Sequence, residues 1–149
     1  MATLSHAEID VFLAEPHIAR IATVRPDGRP HIAPMWFWWD GTSMYMETPP
    51  TSVKANNLRA NPNCAITVDI TQGGLRFKSV TLEGRAELLD DPEYARAMAR
   101  RIYTKYLGEE GVQSPTPAQM INNPHVIIKL TPTRIITNDD TRTGLAPIP

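Results

Sequence analysis

The segment from Pro49 to Lys54 carries the residue types that hold a phosphate group. Two prolines force an extended approach, and a predicted helix then begins with two hydroxyl side chains, Thr51 and Ser52, and a lysine in its first turn. The first N–H groups of a helix lack carbonyl partners and its dipole is positive at that end, so an anion is stabilised there. The hydroxyls would donate hydrogen bonds and Lys54 would add charge. The pattern also fits an ordinary helix cap followed by a solvated lysine, because Ser and Thr are favoured caps.

Four consecutive aromatic residues, Trp36, Phe37, Trp38 and Trp39, give a predicted strand large rings on both faces. Alternation along a strand puts Trp36 and Trp38 on one face and Phe37 and Trp39 on the other. One face is expected to fill the core of the sheet. The other face needs a cover, because an exposed aromatic strip of this size is more typical of a dimer interface or a ligand wall than of bare surface.

The remaining reactive side chains show no catalytic or metal-binding pattern. The four histidines lack metal-ligand spacing, so no metal site is predicted and each is interpreted as a surface or hydrogen-bonded residue. They are His6, His17, His31 and His125. The single cysteine, Cys64, has no basic neighbours in sequence, which favours a buried strand thiol over a nucleophile. No serine lies in a Gly-x-Ser-x-Gly setting, so serine hydrolysis has no support.

Length and composition indicate one soluble globular domain. The chain has 149 residues, of which 42% are hydrophobic and 21% charged. Its net charge of -1 excludes the strong basic field of a dedicated nucleic-acid-binding protein, although a local basic pocket stays compatible with it. One cysteine cannot form an internal disulfide, and no apolar run reaches about 18 residues. Together with the absence of a basic-then-apolar leader pattern, these features predict a cytoplasmic protein.

The first half of the chain predicts a short helix and then a three-stranded meander. Residues 5–14 form an amphipathic helix that opens with a Ser-x-x-Glu capping box. The strands are expected over residues 17–24, 30–39 and 43–48. A Pro-Asp-Gly turn ending at Gly28 joins the first two strands into a hairpin.

The second half alternates strands and helices. Helices are expected over residues 51–60, 92–107 and around 116–121, and strands over residues 64–70, 75–89 and 126–137, the last interrupted by Pro132. In the long strand the apolar phase changes from odd to even positions between Phe77 and Val80, which predicts a β-bulge. The longest helix ends at Gly108. Its apolar stripe consists of Ala95, Met98, Ala99, Ile102, Tyr103 and Tyr106. The pattern predicts a mainly β, α+β fold: an antiparallel barrel with helices on its outside.

Four segments in a fixed order resemble the pyridoxamine 5′-phosphate oxidase-like split β-barrel superfamily. They are residues 15–30 (EPHIARIATVRPDGRP), 33–37 (APMWF), 54–62 (KANNLRANP) and 82–88 (LEGRAEL). Within the superfamily the chain is most similar to the flavin/deazaflavin oxidoreductases, many of which use coenzyme F420. The resemblance spans residues 5 to about 136 and depends on the ordered set rather than on any single motif.

The resemblance implies a particular fold and assembly. The fold would be an FMN-binding-protein-like split β-barrel of six to seven antiparallel strands with flanking helices, covering residues 1–137, with a C-terminal tail at residues 138–149. The implied assembly is a homodimer with two cofactor sites at the subunit interface, and it would give the second aromatic face something to pack against. No nucleic-acid or membrane partner is implied.

The resemblance also implies a cofactor site in three parts. Residues 48–57 would hold the cofactor phosphate, residues 34–37 would lie along the ring system, and the strand at residues 76–79 would approach the cofactor. The implied cofactor-binding residues are Pro34, Met35, Trp36, Phe37, Thr48, Thr51, Ser52, Lys54, Asn57, Arg76, Lys78 and Ser79. Arg76 and Lys78 fit equally well as solvent-facing strand charges. The oxidases carry an Arg-Lys pair where this chain has Val53 before Lys54, which argues against oxidation of pyridoxamine phosphate itself.

The function implied is that of a reductase that uses reduced coenzyme F420 (F420H2) and transfers a hydride to a small organic acceptor. Two alternatives stay open. One is an FMN-binding oxidoreductase similar to pyridoxamine phosphate oxidase, and the other is a non-catalytic flavin- or tetrapyrrole-binding protein. F420 and FMN share a ribityl phosphate, so the anion site derived above would serve both. No side chain stands out in the sequence as a proton donor.

Overall fold

Four helices and eight strands make up the computed structural model, which describes residues 3–71 and 77–142. In chain order the elements are α1 (His6–Ala14), β1 (Ala19–Val24), β2 (Pro30–Met35), β3 (Trp38–Trp39), β4 (Met44–Thr48), α2 (Val53–Ala60), β5 (Asn63–Thr71), β6 (Phe77–Leu89), α3 (Pro92–Gly111), α4 (Pro115–Asn122), β7 (Val126–Leu130), β8 (Arg134–Asp139) and a 3₁₀-helix (Asp140–Arg142). Among the described residues no helix is long and apolar enough to cross a membrane.

The first helix and hairpin form from short-range interactions. The Ser5 hydroxyl accepts a hydrogen bond from the Glu8 N–H, and the Glu8 carboxylate accepts one from the Ser5 N–H, so the predicted capping box is confirmed. Strands β1 and β2 pair antiparallel across the predicted turn. Gly28 in that turn has a φ of 87°, a left-handed conformation that glycine adopts without strain.

The eight strands form one antiparallel sheet that curls into a split β-barrel. The order is β2-β1-β5-β6-β7-β4-β3, and β8 also pairs with β6. Strand β6 spans 13 residues and belongs to both halves of the barrel: its first part pairs with β5 and β8, and its last four residues pair with β7. The predicted fold class is therefore confirmed.

The segment predicted as one strand over residues 30–39 breaks into β2 and β3 at Trp36 and Phe37. Strand β3 pairs with β4, and β4 pairs on its other side with β7. The predicted three-stranded meander is wrong, because β2 and β4 lie in different halves of the barrel. The predicted strand over residues 126–137 likewise divides at Pro132 into β7 and β8, and the two breaks together give eight strands where six or seven are expected.

The bulge predicted between Phe77 and Val80 is not present. The register between β5 and β6 is unbroken from Phe77 to Arg85, and β8 pairs with the same stretch without interruption. Instead, the register shifts by one residue where β7 gives way to β8 around Pro132. The irregularity therefore lies in the neighbouring strands, next to Gly84, where the backbone of Thr131 approaches closely.

Two apolar layers hold the helices and the sheet together. The barrel core is built from the inward faces of β1, β4, β5 and β6 with α1 and α2, and its largest fully buried side chain is Phe37. Helix α3 lies over β3, β4 and β7. The apolar stripe predicted for this helix packs against those strands and forms the second layer. The helical conformation is interrupted at Gly108, whose φ of 76° places the end of the long helix where the sequence predicts it.

Candidate functional site

Ser52 begins helix α2 and has one hydrogen-bonding capacity left for a ligand. Its hydroxyl oxygen accepts from the Ala55 N–H at 3.2 Å and from the Thr48 hydroxyl at 2.8 Å. A hydroxyl oxygen has two acceptor positions and one donor. Both acceptor positions are filled, so the Ser52 hydroxyl keeps only its capacity to donate. The helix cap is Ser52 rather than Thr51, and this leaves the exposed Thr51 hydroxyl outside the helix.

Lys54 in the first turn of α2 is half-buried beside the same helix start. Burial lowers its pKa, because removing an ammonium from water disfavours the charged form, and the attraction of Glu47 opposes that shift. Thr51, Ser52 and Lys54 thus provide two hydroxyls and a positive charge at the dipole's positive end. An anion such as a phosphate fits this arrangement.

Two further residues of the implied phosphate segment are buried and support the helix from inside. Thr48 is 1% exposed and bonds to Ser52. Asn57 is 3% exposed, and its amide donates to the Thr23 hydroxyl of β1 at 3.0 Å. Both side chains fix where α2 begins relative to the sheet.

The residues implied for the ring system separate into exposed and covered ones. Pro34 is exposed on the outer face of β2, and Met35 packs partly against the barrel core. Phe37 is fully buried in that core. Trp36 stacks on Tyr106 of α3 with ring centroids 4.6 Å apart and planes inclined by 3°. Of the four residues implied for the ring system, Pro34 is therefore the exposed one, and Met35 is half-buried.

The second aromatic face is covered by the chain's own helix α3. Trp36 contacts Tyr103 and Tyr106, and the Arg101 guanidinium lies 5.3 Å from the Trp38 ring centroid. The expectation that a dimer partner or a ligand covers this face is corrected, because the long helix supplies the aromatic and cationic side chains that do so.

Lys105 and Tyr106 of α3 hold the break between β2 and β3. The Lys105 ammonium donates to the carbonyls of Leu13 at 2.9 Å and Phe37 at 3.2 Å, and lies 3.7 Å from the Phe37 ring centroid. Burial lowers the pKa of Lys105 to about 8. The Tyr106 hydroxyl donates to the His17 carbonyl and accepts from the Phe37 N–H. These bonds satisfy backbone groups that the strand ladder leaves open.

The third part of the implied site lies at the start of β6. Lys78 is 5.7 Å from the Phe12 ring centroid, and the Ser79 hydroxyl accepts from the Asn138 amide at 3.4 Å. Arg76 lies outside the described residues. Within the described chain no hydrogen bond or ion pair joins Lys78 or Ser79 to the residues at the start of α2. The structure thus brings Thr48, Thr51, Ser52 and Lys54 together at the start of α2.

A cavity of about 590 Å³ adjoins the loop before α2, and we call it the His125 cavity. It is lined by Glu47, Pro49, Pro50, Thr51, Tyr103, Met120, Asn123, Pro124 and His125. Its walls come from the end of β4, the middle of α3, the end of α4 and the residues before β7. Apart from Thr51, the sequence did not indicate these residues as a site.

Glu47 is the centre of the polar end of the His125 cavity. One carboxylate oxygen accepts from the Tyr103 hydroxyl at 3.1 Å, and the other lies 3.0 Å from Nε2 of His125. Burial and the neighbouring carboxylate raise the pKa of Tyr103. Nδ1 of His125 is buried and has no hydrogen-bond partner within the described part of the chain. The register of β4 and β7 brings Glu47 and His125 together, because Thr48 pairs with Val126.

Three of the four histidines have a polar neighbour, as the sequence predicts, whereas Nδ1 of His31 is buried and has no hydrogen-bond partner within the described residues. His125 is hydrogen-bonded to Glu47, His17 lies 2.9 Å from Glu15, and His6 is paired with Asp10 on the exposed side of α1. Cys64 is buried, and burial raises the pKa of its thiol to about 11. The thiol stays protonated at neutral pH, which confirms its interpretation as a buried strand residue.

Comparison with known proteins assigns the family. The family model described as pyridoxamine 5′-phosphate oxidase matches residues 5–139, so this chain belongs to the pyridoxamine 5′-phosphate oxidase family. A search of curated proteins gave no match.

Solved structures share the fold over most of the chain. A conserved hypothetical protein of Mycobacterium tuberculosis is 27% identical, with a TM-score of 0.85 over 98% of this chain and 91% of its own. An F420 reductase is 30% identical, with a TM-score of 0.67 over 85% of this chain and 94% of its own. A FAD-binding protein of Mesorhizobium loti is 24% identical, with a TM-score of 0.66 over 91% of this chain and 95% of its own, and that likeness shows the fold alone.

Proposed function

We propose that this protein is a reductase that uses reduced coenzyme F420 and transfers a hydride to a small organic acceptor at the interface of a homodimer. Family membership and the 30% identity to an F420 reductase support a flavin-type oxidoreductase. The observation that carries the proposal is the start of α2, where the Ser52 O–H, the Thr51 hydroxyl and the half-buried Lys54 form a site that fits a phosphate.

The residues have distinct roles in this proposal. Ser52, Thr51 and Lys54 bind the cofactor phosphate, while Thr48 and Asn57 fix the position of α2. The deazaflavin, when bound, supplies the hydride. The protein contributes anchoring, orientation and exclusion of water, which favour transfer of the hydride to the acceptor rather than its loss.

The homodimer in this proposal is supported by an open face of the sheet. Alternation along the strands places the side chains of Ala22, Ile32, Ala65 and Ile136 on the outer face of β2, β1, β5 and β8. No described helix packs on this face, and Ile32 is 66% exposed. The same face also carries the Arg20–Asp69 ion pair, and in its outward rows Glu83 and Arg134 lie beside these apolar residues. An open sheet face with a row of apolar side chains bordered by charged ones is a surface on which two copies of a chain can pair.

The first experiment is a fluorescence titration of the protein with coenzyme F420 and, separately, with FMN. We expect F420 to bind at micromolar concentration or below and FMN to bind more weakly. Both cofactors carry a ribityl phosphate, so the site at the start of α2 fits either one. Contacts with the ring and with the rest of the cofactor must therefore determine which of the two binds more tightly. A preference for FMN would assign the protein to the flavin oxidoreductases, and no binding of either cofactor would contradict the proposal.

A charge variant tests the phosphate site itself. Lys54→Ala is expected to weaken F420 binding at least tenfold, because it removes the charged group of the anion site. Arg59→Ala is the matched control: it removes a positive charge from the other end of the same helix, where Arg59 is exposed and bonds to Asn56. Equal losses in both variants would show a general charge effect and not a phosphate site at the start of α2.

A further inference from the structure

The middle of helix α3 carries a concentration of positive charge. Residues 96–105 contain four basic side chains and no acidic one, in a chain whose net charge is -1. Arg96 precedes Arg100 by four positions, and Arg101 precedes Lys105 by four. Residues four apart are neighbours on the surface of a helix, and like charges at that spacing destabilise it. An anion bound beside these side chains would relieve the repulsion.

Trp38 of β3 holds the guanidinium of Arg101 in place. The guanidinium carbon lies 5.3 Å from the Trp38 ring centroid, which is a cation–π contact. Among the described residues, no carboxylate lies within ion-pair distance of Arg100 or Arg101. A guanidinium has five N–H donors in a fixed fork, and the fork matches the two oxygens of a carboxylate or phosphate. Arg101 is therefore a positioned donor without an anionic partner.

A groove of about 450 Å³ runs beside these arginines, and we call it the α3 groove. It is lined by Trp38, Ala97, Arg100, Arg101, Thr104, Lys105 and Glu109. Three of the lining residues are basic and one is acidic. The acidic one, Glu109, lies beyond the interruption of α3 at Gly108. The groove is thus cationic along Arg100 and Arg101 and acidic only at its far end.

Lys105 adds a positive charge beneath the α3 groove. Its ammonium donates to the carbonyls of Leu13 and Phe37, and the Phe37 ring is fully buried, so this charge lies inside the protein rather than in the groove. Burial lowers the pKa of Lys105 to about 8, and the group is still protonated at neutral pH. Within the described chain no carboxylate pairs with it. A withdrawn cation without a counter-ion favours an anion in the adjoining groove.

We propose that the α3 groove binds a small polyvalent oxyanion, a phosphate ester or a polycarboxylate, through Arg100 and Arg101. Arg101 donates two parallel hydrogen bonds, Arg100 supplies a second charge, and Lys105 acts through its field without touching the ligand. A volume of about 450 Å³ suits a small molecule. The α3 groove shares no residue with the candidate phosphate site at the start of α2, so this inference goes beyond the proposed function and does not depend on it.

The binding itself is tested by NMR titration of the ¹⁵N-labelled protein at pH 7 and low ionic strength. The probes are inorganic pyrophosphate and, separately, citrate. We expect a dissociation constant below about 1 mM for at least one of them, with shifts of the Trp38 indole and Arg101 side-chain N–H signals. Tighter binding of pyrophosphate assigns phosphate esters, tighter binding of citrate assigns polycarboxylates, and equal binding assigns both. Dissociation constants above about 1 mM for both anions would overturn the proposal.

Charge variants locate the bound anion on the helix. Arg100→Gln and Arg101→Gln are each expected to weaken binding by about tenfold or more, because each removes a charged donor. Arg96→Gln is the matched control: Arg96 is exposed on the same helix but does not line the α3 groove, and its loss should change affinity by less than about twofold. Equal losses in Arg96→Gln and Arg101→Gln would show a general attraction to α3 and would refute the groove.

The candidate phosphate site at the start of α2 is controlled for by Lys54→Ala. This variant should bind the chosen anion as tightly as the wild type, because Lys54 lies outside the α3 groove. Loss of binding in Lys54→Ala with normal binding in Arg101→Gln would place the anion at the start of α2 and overturn the proposal. Failure of coenzyme F420 to bind would contradict the proposed function and would leave the result for the α3 groove unchanged.

Discussion

Ser52 serves the fold and the candidate phosphate site with the same hydroxyl group. Its oxygen caps helix α2 and receives the Thr48 hydroxyl, so its proton alone is left for a ligand. A residue with both roles links cofactor binding to the stability of the helix. The two effects can be separated by measuring stability without ligand.

Ser52→Ala is expected to lower the free energy of unfolding by about 1 kcal/mol, the usual effect of losing a helix cap. Ser114→Ala is the control, since Ser114 stands at the same position before α4 but makes no side-chain cap bond. It should change stability by less than about 0.5 kcal/mol. Urea denaturation of both variants makes the measurement, and equal losses would mean that the Ser52 cap bond does not stabilise the protein.

Lys105 is a cation that the fold withdraws from water. Burial lowers its pKa to about 8 from 10.5, so the folded protein binds this proton less tightly than the unfolded chain does. Between these two values the unfolded state carries more protons, and stability rises with pH. The stability that Lys105 contributes is complete above its pKa in the unfolded chain, 10.5. It is lost as the pH falls through its pKa in the folded protein, about 8.

We therefore expect the stability of the wild type relative to Lys105→Met to rise between about pH 7 and about pH 9.5. Urea denaturation at several pH values checks this. The range stops below pH 10, where tyrosine begins to ionise in the unfolded chain. Burial raises the pKa of Tyr106 to about 12, so above that pH the ionisation of Tyr106 in the unfolded chain lowers stability as the pH rises. A constant difference across the range would contradict the prediction.

At the scale of elements, β6 organises the barrel because it pairs with β5, β7 and β8. The segment that connects β7 to β8 passes directly against Gly84 of β6. A Cβ atom at this position would lie 3.1 Å from Leu130 Cδ1, 3.2 Å from the Thr131 carbonyl oxygen and 3.3 Å from the Thr133 nitrogen. Two of these neighbours are backbone atoms and cannot rotate away.

Gly84→Ala is expected to destabilise the protein by about 1–3 kcal/mol, as overpacking does in well-packed proteins. Arg85→Ala, at the exposed neighbouring position, should stay within about 0.5 kcal/mol of wild type. Denaturation midpoints of the two variants provide the comparison. A Gly84→Ala protein as stable as Arg85→Ala would show that the segment at Thr131 moves without loss.

At the scale of the whole molecule, the two faces of the curved sheet differ in what covers them. Helix α3 covers β3, β4 and β7, whereas the outer face of β2, β1, β5 and β8 has no helix on it among the described residues. The proposed dimer joins two copies through this open face. Ile32 is well placed to test it because it is 66% exposed there.

Light scattering is expected to give the wild-type protein twice the 16.6 kDa mass of the chain. Ile32→Lys should reduce the mass to that of a monomer, because a charge buried in an apolar interface has no partner. Val11→Lys is matched in exposure, at 65%, but lies on α1, away from the open face, and should leave the dimer intact. A monomeric wild type, or a dimeric Ile32→Lys, would contradict this interface.

The sequence alone predicted the parts of the protein that depend on neighbours along the chain. The Ser5–Glu8 capping box, the turn at Gly28, the apolar stripe of α3 and the helix end at Gly108 all follow from interactions within a few residues. The grouping of Thr51, Ser52 and Lys54 at a helix start is local in the same sense. Resemblance over the ordered segments was sufficient to predict the split barrel and the family.

Only the tertiary structure decided what joins distant segments. The pairing of β4 with β7, the covering of Trp36 by α3 and the meeting of Glu47 with Tyr103 and His125 each bring together residues more than 50 positions apart. Strand pairing and helix packing choose among many partners of similar hydrophobicity, and periodicity shows which face is apolar but not which element will cover it. For that reason the candidate phosphate site was visible in the sequence, while the His125 cavity exists only once the barrel has closed and α3 has packed against it.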